Sequence, residues 1–384
     1  MVAAVRRGTP LRAVARAFRV HLRTVQRWVE RAAGKRLDRV DWSDRPAGPR
    51  QALRRTAREV EDLVLTVRRE LRASSDLGEF GAAAIHRELV ARKVAPVPSV
   101  RTINRILARR GALDARHRVR HKPPPRGWYL PDVAAKQLEL DQFDAIEGLR
   151  IKDGPEVEVF TAIALHSGLI AVWPGESVSA ASVRTCLVEH WRAVGLPGYA
   201  QFDNDTRFQG PHQHADVISS VMRLCLSLGV VPVFAPPRES GFQAAIESLN
   251  GRWQAKVWAR FQHESLPALQ AQSAKYVAAS RARGAVRLEG APARRPFPAA
   301  WHLDLQAHPH GRIVFLRRTT EQGTVQVLGH TFVVDALWPH RLVRCDVDLD
   351  AAVIRFYRLR RREPDDQPLL GEVPYVLPQR RFRE

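Results

Sequence analysis

Two stretches decide the fold: YAQFDNDTRFQG, Tyr199 to Gly210, and GFQAAIESLN, Gly241 to Asn250. The first reads as a strand that stops at Asp203. The second reads as a helix that carries Glu247. Between them lie a candidate helix, Ala215 to Leu228, and an apolar strand, Gly229 to Pro236. Upstream, the apolar strand QLELDQF places Asp141. Three carboxylates at element ends, in a chain of net charge +21, point to a metal site built for phosphate chemistry.

Working outward, Leu138, Leu140 and Phe143 alternate as a strand does. VEVFTAIALHSG and LIAVWP are two more strands, with His166 to Gly168 as the tight turn between them. Ser179 caps a helix that runs through Val194 and ends at Gly195, Pro197 and Gly198. The order is β-β-β-α-β-α-β-α. Three antiparallel strands followed by alternating units predict a mixed five-stranded sheet with helices on both faces.

The chain has 384 residues, enough for two to four domains, and a hydrophobic fraction of 45%. A charge of +21 with a pI near 11.1 predicts a polyanionic partner, nucleic acid before a membrane surface. No apolar run approaches the roughly 18 residues of a spanning helix, and the opening residues carry no apolar h-region. Cys186, Cys225 and Cys345 are far apart in apolar settings, which fits core thiols in a reducing cytoplasm.

Before the sheet, the composition is helical and basic. PLRAVARAFRVHLRTVQRWVERA reads as two short amphipathic helices and a tight turn, with Arg23, Thr24, Gln26 and Arg27 on the groove-facing side of the second. An ordinary helical hairpin with a solvated basic face is the plain alternative. Asp41 to Gln51 reads as a linker and Arg54 to Arg72 as a long helix. A second helix-turn-helix candidate follows, Gly81 to Lys93 and Arg101 to Gly111, with Ser99 as cap. Ile85, Leu89, Val100, Ile103, Ile106 and Leu107 supply its core, and Arg101, Asn104 and Arg105 face outward. ARHRVRHKPPPR, from Ala115, reads as an extended basic linker.

The order of the central elements, with Asp141 in LELDQF, Asp203 in FDND and Glu247 in AAIESLNGRW, resembles the ribonuclease-H-like core of retroviral integrases and insertion-sequence transposases with an Asp, Asp, Glu triad. Asn250 completes the family's E-x-x-N pattern. The resemblance covers roughly residues 130 to 285. It implies an enzyme that cleaves and joins DNA strands by two-metal phosphoryl transfer, with Mg²⁺ (or Mn²⁺) held by Asp141, Asp203 and Glu247. Water attacks for donor cleavage, and a DNA 3′-hydroxyl attacks in strand transfer. Asn204 and Asn250 support by orienting carboxylates or phosphate. The implied partners are double-stranded DNA, at element ends and target, and further copies of the chain, at the bacterial nucleoid. An accessory ATPase stays open.

Three departures from the family stand out. Asp203 to Glu247 spans 44 positions, longer than usual, and the excess falls in Gln209 to Val217. Asp205 stands where glycine is usual, and reads as a turn or capping residue. Gln254 stands where many members carry a cation; Arg252 and Lys256 are the candidate replacements, though neither lies on the Glu247 face. Asp144 is the alternative first ligand, with Asp141 favoured because it lies on the apolar strand itself. His212 and His214 read as an exposed loop, for want of a third ligand at suitable spacing. A nuclease that only hydrolyses shares the fold, and a DNA-binding regulator without catalysis is the reading from another class.

Leu266 to Arg283 reads as a helix, and Arg294, Arg295 and Pro296 as a linker. From Gly311 four or five short alternating strands predict a small β-barrel like the SH3-like module of integrases. Arg317, Arg318, Arg341, Arg344 and Arg355 are its candidate phosphate contacts. The tail from Arg360 is charged and Pro-containing, and reads as disordered. The expected plan is thus multidomain: all-α helix-turn-helix units at 1–40 and 50–114, a basic linker at 115–130, an α/β core at 131–285, a barrel at 308–360 and a tail at 361–384.

Overall fold

The computed structural model describes residues 1–43, 56–113, 126–211, 213–237, 239 and 241–383. Most of the expected linkers, 44–51 and 115–125, lie outside the described residues, as do His212 and Arg238. The chain divides into two compact units, Met1–Glu61 and Asp62–Glu384.

In the first unit α1 (Val2–Arg6), α2 (Leu11–Ala17) and α3 (Leu22–Ala32) pack around Val14, Ala15 and Val25 on one side and Val2, Ala32 and Val40 on the other. Pro10 precedes α2 with φ −58°, a proline geometry already suited to helix entry. The His21 ring accepts from the Arg23 amide and caps α3. The Arg6 guanidinium donates to the carbonyls of Ala32 and Lys35, which ties α1 to the end of α3.

The boundary falls within α4 (Arg58–Ser74), and the second unit takes in the rest of that helix, α5 (Ala82–Ala91) and α6 (Val100–Arg109). Val64, Val67, Ile85, Leu89, Ile103, Ile106 and Leu107 are buried between them. Ser99 Oγ accepts from the Thr102 amide and caps α6, a bond of about 1 kcal/mol. Val100, expected in this core, is 38% exposed: as first helical residue it starts on the outer face.

A short helix α7 (Pro131–Ala134) leads into the sheet. Its strands are β1 (Leu140–Arg150), β2 (Glu156–Ala164), β3 (Ile170–Gly175), β4 (Tyr199–Phe202) and β5 (Val231–Phe234), joined by α8 (Ala180–Val194), α9 (Thr206–Gln209) and α10 (Ser220–Ser227). β1, β2 and β3 are antiparallel neighbours, and β4 and β5 run parallel to β1. Then come α11 (Ala244–Trp253), a π-helical turn (Gln254–Trp258) and α12 (Leu266–Gly284). Helix α10 starts five residues later than expected, because Asp216 adopts φ 63° and Ser219 caps the helix instead.

The sheet does not stop at β5. Among the described residues it has nine strands, in the order β11-β10-β9-β6-β5-β4-β1-β2-β3. The added strands are β6 (Arg312–Arg318), β9 (Leu342–Asp348), β10 (Val353–Leu359) and β11 (Leu369–Pro374). β7 (Thr324–Val327) and β8 (His330–Val333) form a separate hairpin. The expected five-stranded sheet and separate C-terminal barrel are therefore corrected: Val233 and Phe234 pair in parallel with Val314 and Phe315. The physical reason is burial on the free side of β5. Phe234 and Phe315 stack at 5.2 Å, and both are buried in one core with Phe202, Val343, Cys345 and Phe356. A buried β5 without a partner strand would leave its backbone groups unpaired. The tail is corrected too, since Leu369–Pro374 pairs with β10.

Candidate active site

β4 and β5 end on the same edge of the sheet, and the chain turns there after Phe202. Asp203 is half-buried at that turn. One of its oxygens accepts from the Asp205 amide at 3.0 Å. Burial, and then the charges of Asp205 and Glu147, push its carboxyl above the ordinary range against the opposing pull of that amide and of Arg207. Asp205 itself caps α9 by accepting from the Arg207 amide. The Arg207 guanidinium donates to Asp205 at 2.9 and 2.8 Å, and also to Glu147. The capping reading of Asp205 thus has its geometry, and Arg207 fills the space near the turn with positive charge.

Asp144 lies on β1 three residues after Asp141. Its carboxyl accepts from the Ala145 amide at 2.9 Å and from Asn250 Nδ2 at 2.7 Å. Asn250 is fixed in turn by the Thr161 hydroxyl, which donates to Asn250 Oδ1 at 2.8 Å. Burial raises the Asp144 carboxyl, and the negative charges of Asp203 and Glu247 raise it further, to about 6. Three carboxylates, from β1, the β4 turn and α11, thus share one field. Glu247 is exposed in the first turn of α11, one turn before Asn250. The start of α11 is fastened to β1: the Ile246 amide donates to Gln142 Oε1 at 3.2 Å, and Gln142 Nε2 donates to the Phe242 carbonyl at 3.0 Å. Among the described residues no three His, Cys, Asp or Glu side chains are drawn close enough to hold an ion as they stand.

The expected first ligand, Asp141, is not brought to this group. It is fully buried, and its oxygens accept from Arg294 at 2.9 and 2.6 Å and from the Trp191 indole at 3.1 Å. Burial pushes its carboxyl up, but Arg294, the nearby His190 and Trp191 outweigh that and hold it below the usual range. The reason is the two-residue period of a strand. Positions 141, 143 and 145 face α8, whereas 142, 144 and 146 face α11. The same contact corrects Arg294, expected in a linker: it is a half-buried partner reaching back across 153 residues. No local signal marks that pairing. Gln142 and Thr161 carry no local signal either.

The remaining expectations divide. Arg23, Gln26 and Arg27 are exposed on α3 and Thr24 is half-buried; Arg101, Asn104 and Arg105 are exposed on α6. Asn204 Nδ2 donates to the Ala235 carbonyl and joins the β4 turn to the end of β5. Lys256 does not stand in for the missing cation. Its ammonium donates to the Gly78 carbonyl at 2.8 Å and lies over Phe80. Arg344 is corrected from phosphate contact to structural residue, buried against Asp346 and Tyr357. His214 is exposed. The lengthened segment before α10 is stapled to the hairpin: the Asp216 amide donates to the Leu328 carbonyl, and Asp216 Oδ1 meets His330 at 2.7 Å.

No family model matches the chain, and no curated protein matches it. Among solved structures, the catalytic core of BIV integrase aligns at 17% identity and a TM-score of 0.28, over 36% of this chain and 80% of that one. A simian T-cell lymphotropic virus intasome in complex with PP2A regulatory subunit B56 gamma aligns at 14% and 0.34, over 79% and 95%. The HTLV-2 integrase catalytic core in complex with magnesium aligns at 14% and 0.28, over 41% and 87%. No helix among the described residues is long and apolar enough to cross a membrane.

Proposed function

We propose that this chain cuts and joins DNA strands as a polynucleotidyl transferase of the transposase and integrase kind, with Asp144, Asp203 and Glu247 as its carboxylates. The observation that carries this is that three carboxylates from separate elements lie near enough for Asp203 and Glu247 to add to the effect of burial, which together raise Asp144 to about 6. Uncompensated like charges oppose folding, so a cation is the natural complement. The donor set fits magnesium: every candidate ligand is a hard carboxylate oxygen. Bound magnesium supplies Lewis acidity at a phosphoryl oxygen and neutralises charge in an in-line displacement.

The chain's own residues then have separate tasks. Asp144 must be ionised to bind the cation, so it accepts a metal more readily above pH 6 than below. Asn250, held by Thr161, keeps one Asp144 oxygen in place. Gln142 sets the start of α11 and hence the height of Glu247. Arg207 limits repulsion between Asp205 and Glu147 beside the Asp203 turn. In this reading α3, with Arg23, Thr24, Gln26 and Arg27, and α6, with Arg101, Asn104 and Arg105, meet DNA, and two bound ends call for a homo-oligomer.

The test incubates labelled end DNA and a plasmid target with the protein in Mg²⁺, Mn²⁺ or EDTA. The expected result is joined product that needs metal and disappears in Asp203→Asn. Nicking without joining would indicate a hydrolytic nuclease instead. DNA binding with neither product would indicate a regulator. Binding itself is expected to weaken with salt at a log–log slope of about −0.9 per phosphate neutralised.

A further inference from the structure

Beside the β4 turn lies a cavity of about 340 Å³ that the carboxylates do not use. Its walls come from the lengthened segment before α10, from the end of β6 and from the hairpin. Asn204, Gln209, Pro211, Val217, Pro237 and Arg317 line it. The size falls near the bottom of the ~300–1,000 Å³ range of small-ligand pockets, too small for a duplex and adequate for one nucleotide. The Arg317 Nε donates to the Gln326 carbonyl at 3.1 Å and Nη1 to the Leu316 carbonyl at 3.0 Å, which leaves Nη2 without an acceptor among the described residues. Gln209 Oε1 is buried and accepts no hydrogen bond among the described residues. One wall therefore offers a cationic donor, another an unused acceptor, and Pro211, Pro237 and Val217 offer apolar surface between them.

We propose that this cavity receives a single unpaired nucleotide of the DNA strand held at the carboxylates, its phosphate at Arg317 and its base against the prolines with a donor edge toward Gln209. The proposal rests on the DNA reading above. Three features favour a nucleotide over a free anion. An anion alone needs neither the apolar walls nor the buried acceptor. Asn204, the residue after Asp203, lines the cavity, so a strand crossing the carboxylates has its neighbouring nucleotide within reach. Burial lowers the Arg317 guanidinium to about 10, and it stays cationic at neutral pH. Extruding a nucleotide costs a few kcal/mol in a paired duplex and least at an unpaired end. The site therefore favours ends that are frayed or carry an overhang.

The segment and the hairpin form the cavity together. The Asp216–Leu328 and Asp216–His330 bonds hold them as one wall, and Tyr375, the residue after β11, donates to the same Asp216 oxygen at 2.9 Å. The nucleotide site would thus be built by the two parts of the chain that depart from the expected plan.

The experiment uses the full chain and a duplex with a one-nucleotide 2-aminopurine overhang, in EDTA so that nothing is cut. Fluorescein anisotropy on the same duplex reports binding, and 2-aminopurine fluorescence at saturation reports removal of the base from its stacked neighbours into the pocket. The expected result is at least a threefold rise in 2-aminopurine signal for wild type, reduced by more than half in Arg317→Ala, in Gln209→Leu and in the cavity-filling Val217→Trp. Saturated binding with no rise, or a rise equal in all four proteins, would overturn the cavity and leave the DNA reading standing. No anisotropy change at low salt would overturn both.

Discussion

Asp141 and Asp144 stand on the same strand, three residues apart, in opposite chemical situations. Asp141 looks toward α8 and is closed on itself: a buried carboxylate, a two-point guanidinium and an indole, with no exposed surface. Asp144 looks toward α11 and is left open, steadied by an amide and by Asn250 but facing two more carboxylates. One group is held below the ordinary carboxyl range and the other is raised to about 6. Charge that is neutralised within the chain serves the fold. Charge that is gathered and left unneutralised invites a ligand. The two faces of β1 divide those tasks.

The sharpest way to break this comparison is to exchange the consequences of the two residues. Asp144→Asn is expected to fold and to lose joining activity by at least 10³-fold, whereas Asp141→Ala is expected to fail first in stability. Removing one partner of a buried pair costs about 3–5 kcal/mol, so Asp141→Ala and Arg294→Ala should each shift chemical denaturation by that amount. Urea melts of the three variants check this. Equal destabilisation by Asp144→Asn would erase the distinction.

A smaller effect concerns pH. The folded pKa of Asp144 is raised from 3.8 to about 6, so the folded state binds the proton more tightly than the unfolded state. Its contribution to stability is therefore lost as pH rises from about 4 to about 6, and the deficit persists above. Without metal, Asp144→Asn is expected to raise Tm by a few degrees at pH 7.5 and to do little at pH 4. Magnesium is expected to raise the wild-type Tm more at pH 7.5 than at pH 5, because the carboxyl must lose its proton first. Thermal scans at these pH values, with Mg²⁺ or EDTA, read both. The smallest effect is at Asn250: Asn250→Ala removes one hydrogen bond to Asp144 and is expected to lower metal affinity about tenfold, the scale of a lost outer contact to a metal ligand.

Much of this was legible in the sequence, for local reasons. The five central strands, the Ser179 and Ser99 caps and the helix of Glu247 follow from alternation, capping and turn chemistry within a few residues. Asp141 and Asp144 were harder. Around them β1 is buried on both faces, so apolar pattern alone does not say which parity faces α11. The apolar surroundings that favour Asp141 in the sequence are the same burial that closes it on Arg294 and Trp191 in the structure. Arg294 depends on a contact across 153 positions, and nothing near it in the chain announces a carboxylate partner. The C-terminal strands were visible as strands. Their partner was not, because alternation specifies a buried face and not which edge completes the ladder. Phe315 against Phe234 decided for the existing sheet over a separate barrel.

On the proposed reading, Asp144, with Asp203 and Glu247, forms the metal-dependent site while Asp141 holds the fold. The most direct measurement is DNA joining in Mg²⁺ by Asp144→Asn and Asp141→Asn, at a temperature where circular dichroism finds both folded. The account predicts no joined product from Asp144→Asn and substantial product from Asp141→Asn. Joining by Asp144→Asn, with none from a folded Asp141→Asn, would contradict it.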